Sequence, residues 1–277
     1  MTDHELRLKS IQYRRELLQA IFHAGAGHTG GSLSCVDILN VLYNRVLRVS
    51  PQSFNEPNRD RYIQSKGHSV EALYVVLADR GFFPKSELET LCRYKSAFVG
   101  HPTRKVPGIE MNTGALGHGL PISVGLAMAG KMDSAPYRVF TLLGDGELAE
   151  GSNWEAAMAA SHYQLDNLTA ILDHNTLQIT GRTRDVCNNE PVDEKFRAFG
   201  WNVRTVNGHD VALLTESLTT APQSEQPTCI IANTIKGKGV SFMEDVAKWH
   251  HGVPAESEFE KALADLARQE AELAEAS

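Results

Sequence analysis

Arg138-Val-Phe-Thr-Leu-Leu143 runs directly into Gly144-Asp-Gly-Glu-Leu-Ala-Glu-Gly151. After Arg138 the first stretch is apolar apart from Thr141 and carries β-branched and aromatic members without a helical period, which predicts a buried strand. The glycine-bracketed aspartate ends that strand. Trp154, Ala157, Met158, Ser161 and Leu165 then share one helical face. Toward the C-terminus the alternation returns as a strand at 168–173, a helix at 192–199, a strand at 202–206, a helix at 210–220 and a strand at 228–233. Short apolar strands separated by amphipathic helices indicate a doubly wound α/β fold, a mostly parallel sheet with helices on both faces. Toward the N-terminus the period is helical, at 2–25, 34–47, 69–80 and 86–93, with another helix opening near 119. Segments 50–60 and 99–117 read as loops, and 256–276 reads as a charged amphipathic helix. No repeat, low-complexity tract or flexible linker interrupts residues 1–277, so one domain is expected.

Composition narrows the function classes. A net charge of −7 disfavours a nucleic-acid partner. No stretch approaches the ~18 apolar residues of a membrane span, and the charged first 25 residues are unlike a secretory signal. Cys35, Cys92, Cys187 and Cys229 show no CxxC spacing, which argues against a zinc site or disulfide framework and fits a reducing cytoplasm.

The chemistry sits in loops. Gly144-Asp145-Gly146 falls at the carboxyl edge of the sheet, where open α/β folds bind ligands. The next strand ends at Asp173, placing Asn175 on a neighbouring edge loop. A carboxylate and an amide oxygen there suit a hard cation such as Mg²⁺, which prefers few protein oxygens plus phosphate oxygens. The plain alternative is a β-turn and a polar loop, and spacing alone leaves both open. Thr113-Gly-Ala-Leu-Gly-His-Gly119, feeding a helix, has the form of an anion cradle or of an ordinary N-cap. His28, His68, His101, His250 and His251 all lie near Gly or Pro in loops or at helix starts. They lack metal-ligand spacing and suit proton transfer to a polyhydroxylated or phosphorylated substrate. His4, His23, His162, His174 and His209 read as exposed histidines. Gly25-Ala-Gly-His-Thr-Gly30 matches a dinucleotide fingerprint in letters only, because a helix precedes it and no acid lies near residue 50.

In order along the chain, Ser65-Lys-Gly-His68, Gly100-His-Pro102, Met111-Asn-Thr-Gly-Ala-Leu-Gly117, Gly144-Asp-Gly-Glu147, Glu150-Gly151, Leu172-Asp-His-Asn175 and Thr234-Ile-Lys-Gly-Lys-Gly239 resemble the diphosphate-binding half of transketolases. The resemblance runs from Gly27 to about Pro254. It implies thiamine diphosphate as cofactor and Mg²⁺ as metal, with Ca²⁺ or Mn²⁺ able to replace it. Asp145 and Asn175 would bind the metal by side chains, and Leu177 by its carbonyl. Gly114, Leu116, Gly144, Gly146 and Asp173 would lie at or near the cofactor, and Glu150 would link two cofactor sites across a dimer. His68 and either His250 or His251 would hold diphosphate oxygens, while His28 and His101 would bind sugar hydroxyls and move protons. His118 and Ala149 stand where the family usually has Gln. The family's pyrimidine-binding domain, with its activating glutamate, would sit on a second polypeptide in an α2β2 assembly acting on sugar phosphates in the cytoplasm. The other readings are half of a deoxyxylulose-phosphate synthase or a 2-oxo acid dehydrogenase α subunit, or a non-catalytic scaffold.

Overall fold

The computed structural model describes residues 1–275. Helix α1 (Asp3–Ala24) starts at Thr2, where the Thr2 hydroxyl and the Glu5 carboxylate each accept the other's backbone N–H, and it ends at left-handed Gly25. Helix α2 (Thr29–Val41) continues into a π-helical turn at Leu42–Val46. It begins five residues before the predicted 34, because Thr29-Gly-Gly31 is packed helix where the letters suggest a turn. A Cβ on Gly30 would stand 2.8 Å from the Trp249 carbonyl, so glycine lets α2 approach that loop.

Strand β1 (Arg61–Gln64), absent from the sequence expectation, leads to α3 (Val70–Asp79). The predicted helix at 86–93 is a 3₁₀ segment, Lys85–Thr90. There follow α4 (Gly119–Met132), β2 (Val139–Gly144), α5 (Gly151–His162), β3 (Leu168–His174), the short α6 (Thr183–Val186), α7 (Val192–Ala198), β4 (Asn202–Asn207), α8 (Val211–Thr219), β5 (Thr228–Asn233) and α9 (Glu256–Glu275). Residue 276, the expected end of the last helix, lies outside the described residues.

The strands pair in parallel in the order β1-β2-β3-β5-β4. Alternate side chains feed two cores. Phe140, Leu142, Ile171 and Ile230 pack with α1, α2, α3, α8 and α9, while Val139, Leu143, Leu172 and Ile231 pack with α4, α5 and α7. The sheet is therefore covered on both faces. Helix α9 closes over α1, with Phe22 and Phe259 stacked at 4.3 Å and Arg15 paired to Glu270 at 2.6 Å. Among the described residues no helix is long and apolar enough to cross a membrane.

Candidate active site

Register builds the site. Gly144 pairs with Asp173 and Asp173 with Ala232, so β2, β3 and β5 end level and release their loops side by side. The loop after β1, the N-terminus of α2, the segment around residues 101–118 and the turn at Ala247–His250 close the rest. Together they enclose a cavity of about 410 Å³ lined by His28, His68, His101, His250, Gly114, Leu116, Gly144, Asp145, Gly146, Asn175 and Leu177, along with Lys66, Glu147, Gln178 and Lys236.

His28 is the hub of the histidines. Its ring centroid lies 5.3 Å from His68, 6.0 Å from His101, 5.7 Å from His250 and 4.5 Å from His251. His68 and His250 stack at 5.3 Å. Burial and neighbouring positive charge push His28 down to about 4 and His250 down to about 3, and they lower His68 as well. The rings are thus neutral at pH 7, each with one N–H and one lone pair. The Nδ1 atoms of His28 and His250 are buried and have no partner among the described residues. His251 is exposed and lies outside the cavity lining.

Asp145 Oδ1 accepts the Gly146 N–H at 2.8 Å, and Oδ2 accepts that of Thr176. Burial and then the charge of Asp173 raise its carboxyl above the usual range. Asn175 Oδ1 accepts from Leu177 N at 3.2 Å, and the Leu177 carbonyl accepts from Lys236 Nζ at 2.9 Å. Asp173 lies behind the cavity wall. It takes the Lys66 amine and the Ser34 and Thr234 hydroxyls, so its direct partners are protein groups. Burial opposes the charges of Lys66 and Asp173, but their pairing outweighs it and both stay ionised. Glu150 is exposed at the start of α5, outside the lining.

Four polar residues with structural weight here had no role in the sequence reading. Lys66 and Lys236 sit inside quoted motifs beside glycine, and both are buried. Glu147 accepts from Gly117 N at 2.9 Å, Gly144 N at 3.0 Å and the Ser65 hydroxyl, tying three loops together. Glu71, buried beneath α2, accepts from His28 N at 3.2 Å and the Ser32 hydroxyl at 2.8 Å. Two histidines read as exposed are also engaged. His174 bonds Asn233 at 2.9 Å and Glu190 at 2.7 Å, and His209 bonds Asp37 at 2.8 Å. The glycine run 25–30 joins helix to helix, which removes the strand a dinucleotide site requires.

Residues 7–269 match the family described as "Transketolase, thiamine diphosphate binding domain". The chain belongs to the transketolase family. Curated relatives of similar length include an apulose-4-phosphate transketolase subunit of Phocaeicola vulgatus, 47% identical over 95% of this chain and 94% of that protein. A 6-deoxy-6-sulfo-D-fructose transketolase subunit of Clostridium sp. is 41% identical over 96% and 97% of the two chains. Among solved structures, the transketolase of Campylobacter jejuni superposes with a TM-score of 0.84 at 30% identity, covering 98% of this chain and 48% of that one. That of Leishmania mexicana gives 0.85 at 25%, covering 99% and 45%. This transketolase chain therefore spans about half the length of those solved enzymes. It is a subunit of a ketol-transferring enzyme and carries the thiamine diphosphate-binding domain.

Proposed function

We propose that this chain, folded as one cofactor-binding domain, joins a second subunit to move a two-carbon ketol unit from a ketose phosphate to an aldose acceptor. The observation that carries the reading is the cavity in which neutral histidines, two buried amines and the Asp145–Asn175 pair converge. Its residues fit a magnesium diphosphate. Lys236 is buried with no ion pair among the described residues, and the His28 and His250 nitrogens and Gln178 Nε2 are donors or acceptors left over. Burial, and after it the charge of Asp173, raises the Asp145 carboxyl, and a divalent cation beside it would favour the ionised form.

Asp145, Asn175 and the Leu177 carbonyl would hold the metal, while Lys236, His68 and His250 would face the diphosphate. Gly114, Leu116, Gly144 and Gly146 would give the cofactor its close backbone wall, with Asp173 acting through Lys66. When bound, thiamine diphosphate supplies the carbon nucleophile of ketol transfer. The chain's own task is to hold it, exclude water and manage protons. His28 and His101, neutral and adjacent, can each take a proton from one sugar hydroxyl and return it to another oxygen. His251 and Glu150, outside the cavity, suit the mouth of the site and the face toward a partner. An α2β2 assembly supplies the pyrimidine side, and the unpaired cysteines suit the cytoplasm. Relatives named for apulose 4-phosphate make that sugar the first donor to try, ahead of pentose phosphates.

The test is reconstitution. The chain alone, given thiamine diphosphate and Mg²⁺, should show no ketol transfer; adding the partner should restore turnover and raise cofactor affinity together. Robust turnover without the partner, in a preparation free of host transketolase, would sink the two-subunit reading.

A further inference from the structure

Lys236 reaches the Leu177 carbonyl through its amine, but nothing in its own side chain sets the direction of its backbone. The Thr234–Ile235 peptide, one link upstream, does. The Ile235 N–H donates to His209 Nε2 at 2.8 Å, so that nitrogen carries the lone pair and the ring proton sits on Nδ1. Nδ1 faces Asp37 Oδ2 at 2.8 Å, and the same carboxylate takes the Arg14 guanidinium at 2.6 Å and 3.3 Å. Burial works against the Asp37 charge, yet Arg14 and His209 outweigh it and hold its carboxyl below the usual range. A fixed anion on α2 thus dictates the tautomer of a histidine on the β4–α8 loop, and that tautomer dictates which way the Thr234–Ile235 peptide, one link before that of Lys236, points. The neighbouring anchors are separate. The Thr234 hydroxyl rests on Asp173, Asp245 N donates to the Lys236 carbonyl at 2.8 Å, and Gly237 N donates to the Gly30 carbonyl at 3.0 Å.

We infer that His209 is a positioning residue, locked by Asp37 and Arg14, that aims Lys236 at the diphosphate group of the cofactor. This rests on the reading of Lys236 as a diphosphate contact. Because the other anchors hold the ends of the loop, losing His209 frees one peptide and leaves a half-buried N–H without its partner.

The experiment is calorimetric titration of the chain, with its co-expressed partner, with magnesium pyrophosphate and separately with thiamine diphosphate. Unfolding midpoints are measured alongside. His209→Leu should weaken pyrophosphate binding about tenfold, the worth of one hydrogen bond. In a Lys236→Met background the same change should cost less than about twofold, since two residues acting through one contact are non-additive. His209→Gln, whose amide oxygen can accept from Ile235, should recover most of the affinity. If the leucine variant does not fold, His209→Asn, which keeps the Asp37 bond and loses the reach to Ile235, replaces it. Losses that multiply across the two sites, or lowered stability with affinity intact, would overturn the inference. Failure of the wild type to bind pyrophosphate would overturn the diphosphate reading and this inference with it.

Discussion

His101 shows how little room the site leaves for error. Gly114 sits beneath it at φ 134, and a Cβ there would meet the ring at 2.5 Å. The ring itself is exposed and caps no element, so its removal should spare the fold. His101→Ala should lower ketol transfer by about 10²–10⁴-fold in the reconstituted enzyme, the usual range for lost acid–base assistance. A near wild-type rate would return it to the ordinary surface histidines. Asp145→Ala should abolish magnesium-dependent cofactor binding, followed by titrating metal against bound cofactor, with the chain still folded. Retained metal dependence would remove Asp145 from the ligand set. Histidines next to glycine were legible because that pairing marks a loop. Lys66, Lys236 and Glu71 were not, since a charged residue in a string of letters reads as solvated until burial shows otherwise.

Among the elements, the loops around Glu147 are joined by a single carboxylate. It reaches Gly117 ahead of α4, Gly144 at the tip of β2 and Ser65 after β1. Glu147→Ala would strand buried donors in each, at about 3 kcal/mol for the set. The urea midpoint should fall accordingly and cofactor affinity with it; an unchanged midpoint would show that the loops stand without it. Strands β2, β3 and β5 were legible because each is an apolar run buried on both sides, and the edge strand β4 through its valines, Val203 and Val206. Strand β1 was hidden, since Arg61-Tyr-Ile-Gln64 is four residues long with polar ends and holds an edge position only through pairing with β2. The start of α2 was hidden for a related reason. Its glycines have poor helix propensity, and tight packing against the Trp249 turn overrides it.

The whole molecule should carry opposing pH dependences. His28 and His250 bind protons near 6.5 when unfolded but only at about 4 and about 3 when folded, so they withdraw stability as pH falls below 6.5. Glu71 has the opposite sign. Burial raises it from 4.5 to about 7, and its contribution, full below 4.5, is lost as pH rises through 7. Thermal melts of the cofactor-free chain should therefore show an acid limb that His28→Asn flattens. Glu71→Gln should flatten the decline between pH 4.5 and about 7. Melting temperatures indifferent to both substitutions would contradict these shifts.

The clasp of α9 on α1 bears on how the chain comes off the ribosome. Arg15 meets Glu270 and Phe22 meets Phe259, contacts that close more than two hundred residues of intervening sequence. One flank of α1 therefore stays bare while the sheet is being translated, and it is covered only once residue 270 has emerged. Contacts of such separation are slow to form and leave apolar surface open meanwhile. Here that surface is an amphipathic helix made before the sheet and sealed after it, a natural landing place for a chaperone during synthesis.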